Sequence, residues 1–216
     1  PYHATRAEGF TTTRTTPWRL QNPRAWTLFC SGQLGAVCGM NRHIPVRQPQ
    51  SDVGLVVSAA GTSQRFGVGN KLLVELEGVP LIVMTLSAFT NIIPVRQTVV
   101  TVAQRDLPTF TELLTAHGFG EVTIVPGGPS RQISVRQGLL ALPTSTSIAL
   151  VHDGARPFIH PETVVNCIRA IRDHGAAVVG RRIVDTVKQA SQSGTILRTL
   201  DRTHLWASET PQGAQR

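Results

Sequence analysis

The chain has 216 residues, 41% hydrophobic and 16% charged, so it is long and apolar enough for one substantial core and is not composed like a disordered protein. No apolar run approaches the roughly 20 residues that a membrane-spanning helix needs, so we expect a soluble protein with no membrane partner. The net charge of +8 does not indicate a nucleic-acid partner, because six arginines against one acid concentrate +5 of it in residues 1–50 and aromatic residues make up only 5%.

The three cysteines, Cys30, Cys38 and Cys167, are too few and too irregularly spaced for a disulfide framework or a zinc site with paired ligands. They indicate a reducing compartment, and we expect a cytoplasmic protein. Cys167 lies in an apolar helical stretch, which favours a small buried hydrophobic side chain over a nucleophile.

Residues 1–50 show no helical or strand periodicity and are predicted to be a disordered basic segment. Their composition, rich in arginine and hydroxyl groups and poor in acids, also matches an organelle transit peptide, which would make the location a plastid. The other interpretation, which we favour slightly, is that the natural start is Met40 and that the preceding residues come from a misplaced gene boundary.

From Val53 onward, short apolar runs alternate with helical periodicity, and residues 51–216 are predicted to form one catalytic domain. This alternation is typical of an α/β fold with a doubly wound, mostly parallel, Rossmann-like sheet. Strands are predicted near 53–58, 97–102, 121–125, 148–152 and 176–180. Helices are predicted after Pro80, over 107–117, after the candidate N-cap Ser130, and from Pro161.

Residues 183–205 are predicted to form a protruding arm. Two strand-like runs, 183–189 and 195–200, flank a turn at 191–194, which indicates a β-hairpin. Because a two-stranded hairpin is only marginally stable alone in water, we expect it to pack on a second copy of the chain as a dimerisation arm.

Ligands of open parallel sheets bind at the carboxyl ends of the strands, and three loops predicted to lie there have unusual compositions. The first, residues 59–71, combines small residues and hydroxyls with the cations Arg65 and Lys71. Its backbone N–H groups can approach phosphate oxygens closely, although it is neither a Walker A loop nor a dinucleotide fingerprint. The alternative is a flexible glycine connector with solvated cations.

The second loop, residues 125–131, has Gly127 and Gly128 directly before a predicted helix that carries Ser134. Such a loop lets a base or a phosphate approach the backbone, but taken alone it is equally typical of an ordinary strand-to-helix turn.

The third loop, residues 152–157, places Asp153 three residues before Arg156 at the end of a buried strand. The aspartate can bind a hydroxyl or a metal-bound water while the arginine binds an anion. The alternative is that the two side chains only pair or cap the turn. His152 is expected to be a packed histidine.

Seven motifs in register then resemble the 2-C-methyl-D-erythritol 4-phosphate cytidylyltransferase family. They are VVSAAGTSQRF at 56–66, NK at 70–71, PGGPSRQISV at 126–135, VHDGARPF at 151–158, VDTVK at 184–188, LDR at 200–202, and LW at 205–206 with TPQ at 210–212. The resemblance implies a fold like that of the nucleotide-diphospho-sugar transferases. It also implies that CMP passes from CTP to 2-C-methyl-D-erythritol 4-phosphate, giving 4-diphosphocytidyl-2-C-methyl-D-erythritol and pyrophosphate for isoprenoid precursors made without mevalonate.

The resemblance also assigns roles to the residues that match the motifs. Arg65 and Lys71 would stabilise the transition state. CTP would be bound by Ala59, Ala60, Gly61, Gly127, Gly128 and Ser134. The acceptor, methylerythritol phosphate, would be bound by Asp153, Arg156, Thr186 and Arg202. Of these four, Thr186 and Arg202 would come from the arm of the partner subunit in a homodimer. Mg²⁺ would be bound mainly through the CTP phosphates, with no protein metal ligands.

The sequence departs from the family at several positions. Pro129 follows the two glycines where an acid is usual, while Asn70 and Ser58 replace prolines. The family also continues past TPQ with a helix and a strand, so we expect a C-terminally incomplete copy with an exposed sheet edge.

Two other functions remain open from the sequence. A cytidylyltransferase for ribitol 5-phosphate or another polyol phosphate shares most of these loops. A chain that keeps the fold without catalysis, as an inactive fragment, would act only as a dimerisation module.

Overall fold

The computed structural model describes residues 50–61 and 70–216, together with the backbone of a short strand at residues 27–30. The strand at 27–30 was not predicted. The prediction of a disordered or misassigned segment at 1–50 otherwise lies outside the described residues, except at Gln50. The position of Arg65 lies outside them as well.

The described chain alternates strands and helices in the predicted order. The strands are β1 (Thr27–Cys30), β2 (Val53–Ala59), β3 (Glu75–Leu76), β4 (Val79–Pro80), β5 (Thr98–Val102), β6 (Thr123–Pro126), β7 (Ile148–Asp153), β8 (Ala176–Arg182), β9 (Lys188–Ala190), β10 (Ile196–Thr199) and β11 (Trp206–Gln215). The helices are α1 (Leu81–Ser87), α2 (Leu107–Ala116), α3 (Arg131–Ala141) and α4 (Pro161–His174). All five predicted sheet strands and all four predicted helices are therefore present.

A seven-stranded sheet organises the domain, with strand order β1-β8-β11-β7-β2-β5-β6. Its pairs are parallel except for β11, which runs antiparallel to both β7 and β8. The prediction of an α/β fold with a mostly parallel sheet is confirmed.

Helices cover both faces of this sheet because alternate residues of the buried strands point to opposite sides. Val53, Leu55 and Val57 of β2 join the larger core cluster, which includes buried residues of α1, α2 and α4. Val56 points to the other face and joins the smaller cluster, against which residues of α3 pack. A Cβ atom added at Gly138 would lie 2.4 Å from Val56 Cγ1, so glycine lets α3 approach β2 closely.

Strand β11 was not predicted as a strand. Its sequence contains a proline and a glycine, which argue against a central strand. The structure accommodates Pro211 where the β11–β8 register shifts between Ser208 and Gln212, so the proline lies at an irregularity of the ladder. Sequence periodicity misses such a strand because the bulge interrupts its alternation.

The predicted hairpin is present as a separate two-stranded sheet of β9 and β10. Hydrogen bonds between the N–H of Ile183 and the carbonyl of Leu205, 3.2 Å, and between the N–H of Leu200 and the carbonyl of Val187, 2.9 Å, close its base. None of the helices in the described part of the chain is long and apolar enough to cross a membrane.

Candidate functional site

A cavity of about 1180 Å³ opens at the carboxyl ends of β2, β5, β6 and β7. Small ligands occupy cavities of about 300–1,000 Å³, so this one has room for a nucleotide and part of a second substrate. Nine of the residues predicted from the three loops line it, namely Ala59, Ala60, Gly61, Lys71, Gly127, Gly128, Ser134, Asp153 and Arg156. The structure therefore brings the three loops together around one space.

The first loop brings Lys71 to the cavity on a short 3₁₀ turn, Lys71–Leu73, which Asn70 caps. The side-chain oxygen of Asn70 accepts a hydrogen bond from the N–H of Leu72 at 3.1 Å, and its amide nitrogen donates to Asp106 Oδ2 at 3.1 Å. Asn70, where the resemblance expected a proline, thus ties the turn bearing Lys71 to the segment after β5.

The second loop approaches the first at the two glycines. A Cβ atom at Gly127 would lie 2.3 Å from Ala60 Cβ and 2.9 Å from Ser134 Oγ, so no larger residue fits without displacing both. The N–H of Gly128 donates to Ser134 Oγ at 3.0 Å. These contacts hold the backbone of the loop against the end of β2 and leave its other side facing the cavity.

The backbone of the third loop is held from three sides. The N–H of Gly154 donates to the carbonyl of Ser58 at 3.0 Å, and the hydroxyl of buried Thr85 lies 2.8 Å from the carbonyl of Gly154. The carbonyl of Arg156 lies 3.0 Å from His152 Nε2. Asp153 and Arg156 therefore project from a fixed turn.

The Asp153 carboxylate lies between two arginines. Arg131 donates from Nη2 to Oδ1 at 2.9 Å, and Arg156 donates from Nε to Oδ2 at 3.2 Å. Partial burial tends to raise the pKa of Asp153, but the hydrogen bond and charge of Arg131 and the charge of Arg156 outweigh it, so the pKa is lowered. The side chain is an ionised hydrogen-bond acceptor at neutral pH.

His152 and Cys167 are both buried, as predicted. His152 contacts the ring of Phe89 edge-on at a centroid distance of 4.9 Å. Burial lowers the pKa of His152 and raises that of Cys167 to about 12, so the imidazole is neutral and the thiol is protonated at neutral pH. Neither side chain is among the described residues that line the cavity.

Thr186 and Arg202, predicted to bind the acceptor from a partner subunit, do not line this cavity. Both are exposed residues of the arm, and the guanidinium of Arg202 donates to the carbonyl of Val184 at the arm's base. Their roles stay predictions.

Arg131 reaches the site directly and was not among the residues predicted from the sequence. Arg131 contacts Asp153 although its motif was interpreted only through its glycines and Ser134. The signal was present: Ser130 was predicted to cap a helix, and the residue after a cap at this edge of the sheet lies beside the cavity.

The described lining of the cavity contains no set of side chains that could hold a metal ion by itself. The described residues contain no group of three or more histidine, cysteine, aspartate or glutamate side chains able to hold a metal ion. Asp153 is the one carboxylate among the described residues that line the cavity, and both its oxygens accept from arginines. This donor set fits a divalent ion carried by the phosphates of a nucleotide better than an ion caged by side chains.

The cavity combines glycine-rich backbone, cations and an acceptor carboxylate, and the described lining holds no cysteine or histidine. These features fit a nucleotidyltransferase of the α/β class, whose task is to position phosphates and offset their charge.

The chain belongs to the family of IspD, 2-C-methyl-D-erythritol 4-phosphate cytidylyltransferase, whose profile matches residues 53–216. It is 38% identical over 160 residues to the 2-C-methyl-D-erythritol 4-phosphate cytidylyltransferase of Bacillus licheniformis, covering 73% of this chain and 68% of that protein. The same-named protein of Pelotomaculum thermopropionicum is 40% identical over 163 residues, covering 74% and 68%.

Solved structures agree with this assignment. The crystal structure of 2-C-methyl-D-erythritol 4-phosphate cytidylyltransferase from Thermus thermophilus is similar with a TM-score of 0.58 and 26% identity, over 76% of this chain and 70% of that one. A crystal structure of 4-diphosphocytidyl-2C-methyl-D-erythritol synthase is similar with a TM-score of 0.63 and 27% identity, over 77% and 75%. The resemblance stated from the motifs is confirmed.

Proposed function

We propose that the chain transfers a cytidylyl group from CTP to 2-C-methyl-D-erythritol 4-phosphate, the activity of the family to which it belongs, in the synthesis of isoprenoid precursors. The observation that carries the proposal for this chain is the convergence of three separate loops on one cavity. Nucleotide-type glycines, Lys71 and the pair of Asp153 and Arg156 all line that space.

The reaction is an in-line displacement at phosphorus. An oxygen of the acceptor's phosphate attacks the α-phosphorus of CTP, a new P–O bond forms there, and the bond from the α-phosphorus to the oxygen bridging to the β-phosphate breaks. The electron pair of that bond leaves with pyrophosphate. A phosphate monoester has a second pKa near 6 and is already largely ionised at neutral pH, so the attacking oxygen needs no general base.

Charge neutralisation is the main task left to the protein, because two polyanions must approach each other. Lys71 and, in our proposal, Arg65 offset the charge that builds up on the α-phosphate and on the leaving pyrophosphate. Mg²⁺ carried by the CTP phosphates would supply further positive charge at the same oxygens. The 3₁₀ turn that Asn70 caps supports the role of Lys71, because it fixes the backbone position from which the lysine side chain extends.

The acceptor's hydroxyl groups are assigned to Asp153 and Arg156. A second cavity of about 350 Å³ supports this, because Ala155 and Arg156 line it as well as the first. Its lining includes Thr210, whose hydroxyl oxygen lies 3.4 Å from the N–H of Asp153. An acceptor placed across Arg156 would have its hydroxyls beside Asp153 and its phosphate directed toward the nucleotide.

A homodimer formed through the arm completes the proposal. Val184, Ile196 and Leu197 on the arm are 61–69% exposed, which is unusual for side chains of this size. A second copy packed against them would bury this surface, and Thr186 and Arg202 would then reach the partner's acceptor site.

Pyrophosphate release from CTP tests the function. We expect release with 2-C-methyl-D-erythritol 4-phosphate and at least about tenfold less with ribitol 5-phosphate, since a longer, unbranched polyol presents its hydroxyls to Asp153 and Arg156 at different positions. Preference for ribitol 5-phosphate would replace the acceptor assignment. Binding of CTP without release for any polyol phosphate would favour a non-catalytic module.

A cytoplasmic or plastid location stays a prediction.

A further inference from the structure

Arg131 connects the second loop, residues 125–131, to the third loop, residues 152–157; these are called the nucleotide loop and the acceptor loop below. It is the first residue of α3, directly after the two glycines and Ser130. Its Nη2 and Nε both donate to Asp153 Oδ1, at 2.9 and 3.3 Å, across 22 residues of sequence.

The position of Arg131 depends on the nucleotide loop. Ser130 caps the helix, since its Oγ accepts from the N–H of Ile133 at 3.3 Å. Ser134 Oγ lies 2.9 Å from the carbonyl of Ser130 and accepts from the N–H of Gly128. A nucleotide that contacts Gly128 or Ser134 therefore contacts the same hydrogen-bonded turn from which Arg131 projects.

The backbone of the acceptor loop does not depend on Arg131. Its hydrogen bonds run to Ser58, Thr85 and His152, which belong to β2, α1 and β7. Arg131 is 49% exposed at its side chain and contacts the loop through the carboxylate of Asp153. Removal of the Arg131 side chain should leave the backbone of the turn intact and allow only the Asp153 carboxylate to change its orientation.

Asp153 retains capacity for a substrate while it is held. Each carboxylate oxygen can accept about two hydrogen bonds; Oδ1 accepts two from Arg131, whereas Oδ2 accepts one from Arg156. The remaining acceptor position on Oδ2 can accept from a hydroxyl group of a polyol. Arg131 donates twice to Oδ1 while Arg156 donates to Oδ2, so the two arginines together fix the direction of the carboxylate.

We propose that Arg131 is a positioning residue for the acceptor and makes the binding of CTP and of the acceptor polyol cooperative. It holds the Asp153 carboxylate in the orientation that accepts from the acceptor's hydroxyls, and a nucleotide seated on the glycine loop fixes Arg131 in turn. This inference rests on the proposed function and goes beyond it by naming the contact that couples the two substrates.

The test compares Arg131→Gln and Arg131→Lys with Arg136→Gln, which removes an exposed cation from the same helix. Isothermal titration with a CTP analogue that carries a methylene group between the α- and β-phosphorus atoms gives nucleotide affinity. Titration of 2-C-methyl-D-erythritol 4-phosphate with and without that analogue gives the coupling. Steady-state assays then give separate KM values for the two substrates.

In the unaltered chain we expect the analogue to tighten acceptor binding about fivefold or more. Arg131→Gln should abolish this coupling and raise the acceptor KM about tenfold, with nucleotide affinity alone changed less than about twofold. Arg131→Lys should recover only part of the coupling because it keeps the charge without the two guanidinium donors. Arg136→Gln should behave like the unaltered chain.

Undiminished coupling in Arg131→Gln would overturn the proposal, as would an unaltered chain without coupling. An equal loss of nucleotide affinity and acceptor affinity would also overturn it, because Arg131 would then bind the phosphates directly. If any of these results were obtained while the unaltered chain still released pyrophosphate, the proposal for Arg131 would fail but the proposed function would be retained. No release with this acceptor would overturn both.

Discussion

The acceptor loop and the arm are two neighbouring regions of the chain that are stabilised in opposite ways. The loop at 152–157 continues from β7, whose first five residues are buried, and its backbone is hydrogen-bonded to β2, to α1 and to the ring of His152. Strands β9 and β10 of the arm have only exposed residues and pair only with each other. The backbone of the acceptor loop is thus fixed within one subunit, whereas the exposed apolar surface of the arm is the part that, in our proposal, a second copy would cover.

Because the two regions are stabilised differently, we expect substitutions in them to have different effects. Substitutions around the cavity should change catalysis or ligand binding while the chain stays folded and associated. Substitutions on the arm should change association first and acceptor binding as a result. The predictions below separate these consequences, beginning with the largest.

Lys71→Ala should lower turnover about 10²–10³-fold while CTP affinity changes far less, because the lysine is assigned to charge that develops in the transition state. Steady-state kinetics and nucleotide titration measure the two effects. Arg169→Ala, which removes an exposed cation from α4, is the control and should leave both unchanged. Equal turnover in Lys71→Ala would remove the residue from the mechanism.

Gly127→Ala should weaken CTP binding about tenfold or more, since a methyl group there would meet Ala60 Cβ at 2.3 Å and overpacking of this kind costs roughly 1–3 kcal/mol. Nucleotide titration measures the loss. Gly120→Ala is the matched control, because the nearest atom to its added Cβ is 3.9 Å away. Normal CTP affinity in Gly127→Ala would show that the nucleotide does not depend on the closeness of the two loops.

Features that depend on neighbouring residues could be predicted from the sequence, whereas features that depend on contacts between distant residues could not. Strand β2, predicted near 53–58, and the cap at Ser130 were found from the sequence because burial and capping leave periodic or local patterns. Strand β11 was missed because its pairing with β7 and β8 is long-range and Pro211 masks its alternation. Arg131 was missed for a related reason, since its partner Asp153 is brought near only by the parallel sheet.

Replacing Val184, Ile196 and Leu197 together by serine should raise the dimer dissociation constant at least about tenfold, since burial of each such side chain contributes roughly 1.5–3 kcal/mol. Sedimentation velocity over a concentration series measures it. Leu140→Ser, at a comparably exposed position on α3, is the control for the loss of an apolar surface residue. A monomeric unaltered chain, or unchanged association in the triple variant, would contradict the role given to the arm.

The smallest expected effect concerns pH. Burial lowers the pKa of His152 in the folded chain from the ordinary 6.5, so the unfolded chain binds more protons as pH falls below that value. Its contribution to the free energy of unfolding is therefore complete above about pH 6.5 and is lost progressively as pH falls toward the lower folded pKa. Urea unfolding between pH 5 and 7.5 measures this slope.

His152→Gln should flatten that slope, because the glutamine amide can still donate to the carbonyl of Arg156 without titrating. The same unfolding series on the variant is the comparison. A slope identical to that of the unaltered chain would assign the pH dependence to other groups.

The central claim is that the glycine-lined cavity receives the triphosphate beside Lys71. A crystal structure with the CTP analogue tests this most directly. We expect the cytosine and ribose against Gly127, Gly128 and Ser134, and the α- and β-phosphates within hydrogen-bond distance of Lys71 Nζ. A nucleotide bound elsewhere, or Lys71 directed into solvent away from the phosphates, would contradict the account.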